Sequence, residues 1–150
     1  MPQAQQLDLL DWTPPQATVR FDDAAVRAAT IHGRISRAIG AALKDCGVER
    51  AEIARRMTAF LGEPVSTNML NAYASQARED HAISVPRFIA LMMATGDRRL
   101  LQMLAEDQGW AVIEKKHLPL IELAAVQDKR AELEVHRAAL KRRVRTAGGL

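Results

Sequence analysis

The break Gly62-Glu63-Pro64 constrains this chain more than any other feature. Glycine ends helices readily because it accepts a left-handed backbone, and a proline just beyond cannot continue one. On the N-terminal side, Glu52-Ile53-Ala54-Arg55-Arg56-Met57 places apolar Ile53 and Met57 one helical turn apart, with small Ala54 beside them. On the C-terminal side, Val65-Ser66-Thr67-Asn68-Met69-Leu70-Asn71-Ala72-Tyr73 gathers Met69, Leu70 and Tyr73 on one face. Thr67, Asn68, Asn71 and Ser75 make a second, polar face. Two short helices joined by a turn are therefore predicted within 49–78. A helix that leads with Ser, Thr and Asn, with arginines near it, suits the DNA major groove.

The same punctuation divides the rest of the chain. Asp22 or Asp23 can cap a first helix over about 24–45, with Val26, Ile31, Ile35, Ile39 and Leu43 along its apolar face and Gly47 after it. The second helix spans 49–61, and the third starts at Ser66 and runs to about Arg78. Ser84 caps a fourth helix with Pro86 in its first turn, where a missing N–H costs nothing, and Gly96 closes it. Asp97 caps a fifth, carrying Leu100, Leu101, Met103 and Leu104 and ending before Gly109. Trp110-Ala111-Val112-Ile113 reads as a short strand or a buried loop. A long helix is predicted from Leu118 to Arg145 with a narrow stripe of Leu123, Val126, Leu133, Leu140 and Val144. Arg130 and Arg137 interrupt that stripe, which argues for a short pairing seam or packing onto the body rather than a long coiled coil.

Three segments follow: a flexible N-terminal arm at 1–23, a helical domain at 24–116, and a C-terminal helix with a basic tail at 117–150. Aromatic residues make up 4% of the chain, so Ala, Leu and Met must fill the core, which favours an all-α fold. The net charge of +3 says little by itself, yet its distribution is uneven. Four aspartates against one arginine make 1–24 acidic, whereas Arg137, Lys141, Arg142, Arg143 and Arg145 crowd the other end with no acid among them. Such a tail either meets phosphates or solubilises a helix end.

The segments Glu52–Met57 and Val65–Tyr73 resemble the DNA-binding helix-turn-helix of phage repressors and early phage regulators. Ala54 falls at the small contact position of the scaffold helix, and Val65 and Ser66 enter the recognition helix. The succession Ile83–Asp107 is similar to the helices that follow in those regulators. The resemblance covers roughly 25–109 and implies a five-helix domain. It also implies roles. Thr67, Asn68, Asn71, Ala72 and Ser75 would face base edges. Arg50, Arg55, Arg56 and Arg78 would meet phosphates and set the register. One departure stands out: the family's turn is tight, while this chain inserts Thr58-Ala59-Phe60-Leu61-Gly62-Glu63-Pro64.

In the arm, Gln6-Leu7-Asp8-Leu9-Leu10 resembles the short peptide by which bacterial replication and repair proteins dock on the sliding clamp. That resemblance implies a polar notch for Gln6 and an apolar pocket for Leu9 and Leu10. The other reading has Leu7, Leu10 and Trp12 tucked against the folded body.

Catalytic and metal-binding patterns are missing from the sequence. His32, His81, His117 and His136 are scattered with no ligand spacing, and the glycines form no phosphate-cradling loop. The lone Cys46 excludes an internal disulfide and reads as a small buried apolar group. No stretch has the length of a membrane span, and Met1–Asp11 lacks the pattern of a signal peptide, so the expected location is the cytoplasm. The expectation is a cofactor-free, non-enzymatic regulator, a homodimer on double-stranded DNA. The alternative is a helical adaptor recruited to replication machinery through 6–10.

Overall fold

The structure, a computed structural model, describes residues 18–77 and 81–148. Among the described residues the secondary structure is helical, with no strand. The helices are α1 (Asp23–Val26), α2 (Ile31–Asp45), α3 (Arg50–Leu61), α4 (Thr67–Tyr73), α5 (Val85–Thr95), α6 (Arg99–Glu106) and α7 (Leu118–Ala147). The chain forms two compact units, a body over Ala17–Val112 and a unit that takes in α7, described over 113–148.

Local chemistry explains the body's elements. The single helix expected over 24–45 is two. Asp22 Oδ1 accepts from Ala24 N at 3.1 Å to start α1, and Arg27 leaves it with an extended backbone. Thr30 then caps α2, its Oγ1 accepting from Gly33 N at 3.0 Å. A threonine with a free N–H three residues on is a strong restart, and a one-turn helix is all that precedes it. α3 ends at Gly62, whose φ of 72° puts it in the left-handed region, and its N–H returns to Thr58 O at 2.9 Å. α5 closes on Gly96 in the same way.

The core is built from short apolar side chains, as the scarcity of aromatics requires. Ile39, Ile53, Met57, Leu70, Leu91 and Leu100 are fully buried. Each contributes about 1.5–3 kcal/mol relative to exposure. α3 packs chiefly against α5. The two run antiparallel: Arg56 Nη1 donates to Ala94 O at 3.2 Å, and Arg87 at the start of α5 bonds Glu63 just past α3 at 3.1 Å. α2 and α6 are also antiparallel and clamped at both ends, by Arg34–Asp107 at 2.6 Å and Arg99–Asp45 at 3.0 Å. Phe21, inside the expected arm, is buried instead, with the Arg99 guanidinium 4.3 Å above its ring. The 110–113 run is neither a strand nor wholly buried. Trp110 is 74% exposed, while Val112 accepts from Thr18 N at 3.1 Å and donates to Gln102 Oε1 at 2.7 Å. Cys46 is half-buried against the core rather than enclosed.

α7 is continuous for 30 residues, and none of them is buried. No helix among the described residues is long and apolar enough to cross a membrane.

Candidate nucleic-acid interface

The extra residues between Met57 and Val65 resolve into a longer α3 and a stapled link. Helix α3 continues to Leu61, one turn past Met57. Thr58 then holds the link from within: its Oγ1 accepts from Val65 N at 2.9 Å and donates to Val65 O at 3.4 Å. Val65 is buried, so the chain enters α4 from a fixed anchor. Ser66 caps α4, with its Oγ accepting from Met69 N at 3.2 Å.

α4 is shorter than expected. It ends at Tyr73, and the chain turns through 74–77. Leu70 and Tyr73 are buried and Met69 half-buried, which pins one face to the body. The Tyr73 hydroxyl accepts from Arg87 Nη1 at 2.8 Å, tying the end of α4 to α5. The opposite face is open. Asn68 and Asn71 are exposed, and Thr67 and Ser75 are half-exposed beside them. With Ala72, Asn68, Asn71 and Ser75 line an open concavity of about 500 Å³.

Ala72 corrects an expectation. The helix-turn-helix resemblance implies that it faces base edges, but it is 5% exposed and only floors the concavity. It stands at the border between the polar and the packed faces of α4. A lone methyl there is shaded by its taller neighbours, whereas an asparagine reaches past them.

The arginines differ more than their sequence positions indicate. Arg50, at the start of α3, donates from Nη1 to Oδ1 of Asn71, one of the residues lining the concavity. Arg55 and Arg56 share Glu52. Arg55 bonds it through two nitrogens at 2.7 and 2.8 Å, and Arg56 through Nε at 2.8 Å. Hydrogen bonds from Arg55 first and Arg56 second hold the Glu52 carboxyl down to about 2. The three side chains therefore present one net positive charge at neutral pH, not two. Arg78 lies outside the described residues, as do Gln6, Leu7, Asp8, Leu9 and Leu10.

Two further cations were not singled out from the sequence. A Cβ placed on Gly33 would come 3.6 Å from Gln76 Oε1, and one on Gly40 would come 3.8 Å from the Ala74 Cβ. Gly33, Arg37, Gly40 and Lys44 follow one helical stripe of α2. Arg37 and Lys44, both exposed, therefore ride on the α2 face that borders the end of α4. The small–basic–small–basic spacing is visible in the sequence once its partner is known.

Among the described residues no three His, Cys, Asp or Glu side chains gather as metal ligands. Comparison with family models, with curated proteins and with solved structures finds no match for this chain.

Proposed function

We propose that this protein is a sequence-specific DNA-binding regulator that presents α4 to the major groove. The observation that carries the reading is the division of α4: Leu70 and Tyr73 are sunk into the body while Asn68 and Asn71 are exposed on the other face. Exposed amides on a short, capped helix, bordered by exposed arginines, have the donor and acceptor pattern that base edges require.

The two asparagines act differently in this reading. Among the described residues none hydrogen-bonds the side-chain amide of Asn68, so its oxygen and nitrogen can pair together with adenine N6 and N7. The oxygen of Asn71 is engaged by Arg50. As a pair they offer the remaining N–H groups of Arg50, which suit guanine O6 and N7 or a phosphate oxygen. Arg37, Lys44 and Arg55 supply backbone contacts, which position the protein without reading sequence. A single helix of this length carries little affinity, so operator binding calls for two copies. The regulator acts by occupancy, without chemistry on the DNA.

Competition binding tests the division of labour. Asn68→Ala should relax sequence preference while salt-sensitive binding persists. Equal binding of all duplexes by the parent protein would remove the reading.

A further inference from the structure

α7 carries a surface that the body's site does not use. Leu123, Val126, Leu133, Leu140 and Val144 recur every third, fourth or seventh residue, and each is 44–71% exposed. Leu133, Leu140 and Val144 line an open apolar groove along the helix. Helices draw most of their stability from packing an apolar face, so a 30-residue helix with no buried residue has an unfilled requirement. Its charges are also segregated. The stretch 118–136 holds four acidic and two basic residues, whereas 137–147 holds five basic residues and no acidic one.

We propose that α7 pairs antiparallel with α7 of a second copy of this chain. The charge pattern chooses both the occupant and the direction. A parallel, in-register pair would set Arg130 beside Arg130 of the second copy and Arg137 beside Arg137. It would also lay the two cationic ends side by side. Like charges so placed repel. An antiparallel pair separates the two cationic ends and lays each along 116–126 of the other helix, where Glu122 offsets Lys116. In the register where Leu123 meets Leu140 of the second copy, Val126 meets Arg137 and Arg130 meets Leu133. Lys141 then lies across from Glu122, and Lys129 across from Glu134. The arginines that interrupt the apolar stripe thereby become useful. Their aliphatic stems cover Val126 and Leu133 while the guanidiniums reach out to water.

This inference rests on α7 alone and not on the DNA reading, so its test uses no DNA. A spin label is placed on Thr146→Cys in the full chain carrying Cys46→Ser. In the antiparallel pair residue 146 faces residue 117, so the two labels should be about 40–45 Å apart at 1.5 Å rise per residue. A parallel pair would bring them within roughly 20 Å, given helix axes 8–10 Å apart. Sedimentation supplies a second readout: the dimer should dissociate more as salt rises, and Leu133→Glu, at an exposed position outside the body's core, should leave a folded monomer. A short label distance, a dimer that tightens with salt, or a parent chain monomeric at tens of micromolar would each overturn the proposal.

Discussion

Glu52 masks the cations that a DNA backbone would meet, and removing its charge gives a quantitative test. Glu52→Gln keeps the size of the side chain but takes away the anion that Arg55 and Arg56 share. The charge of this cluster rises from one positive to two. Arg56 keeps its bond to Ala94 O, so Arg55 is released most completely. Each added phosphate contact steepens the dependence of log affinity on log salt by about 0.9. One contact therefore adds about 3.5-fold, and two about 12-fold, to the affinity lost between about 50 and 200 mM salt. The assay is fluorescence anisotropy on a duplex of arbitrary sequence over a salt series. The variant should bind more tightly at low salt, with a slope steeper by about 1–2. A folded variant with the parent's slope would show that this face does not approach DNA.

The remaining predictions concern the scaffold that holds α4. Leu70→Ala should cost about 2–5 kcal/mol in urea unfolding, because Leu70 is fully buried; a loss below about 1 kcal/mol would mean that α4 is not packed as described. Gly62→Ala should cost about 1 kcal/mol from backbone strain alone, since φ is 72° and a Cβ there would meet nothing within 4 Å. No loss in thermal unfolding would place the α3 terminus in another conformation. The Glu52 carboxyl is lowered from 4.5 to about 2, so its pairing stabilises the fold above about pH 4.5 and is lost as pH falls toward 2. The stability gap between parent and Glu52→Gln should shrink over that interval in acid titration, and a widening gap would contradict the Glu52 geometry.

Much of the scaffold was legible in the sequence because it is punctuated locally. Gly62 and Gly96 end helices through their own backbone freedom, and Ser66 starts one through its own oxygen, so the limits of α3 and α5 and the start of α4 can be read residue by residue. The split between α1 and α2 was less visible. No glycine or proline marks it, and apolar Val26 and Ile31 are compatible with one continuous helix until Thr30 is recognised as a cap. The far end of α4 depends on tertiary contacts, with Tyr73 held by Arg87 from α5. At the site, helical spacing separated Asn68 and Asn71 from Leu70 and Tyr73 correctly. It could not place Ala72, whose border position is decided by the height of its neighbours. Nor could it foresee that Arg55 and Arg56 share an anion with Glu52, or that Arg37 lies near the end of α4. Those facts come from which helices become neighbours.

Selection of duplexes from a random pool at physiological salt tests the central claim most directly. The parent protein should enrich a defined sequence, and Asn68→Ala should lose the preference for adenine at one position while keeping its neighbours. Recovery of an unenriched pool by the folded parent would contradict the account.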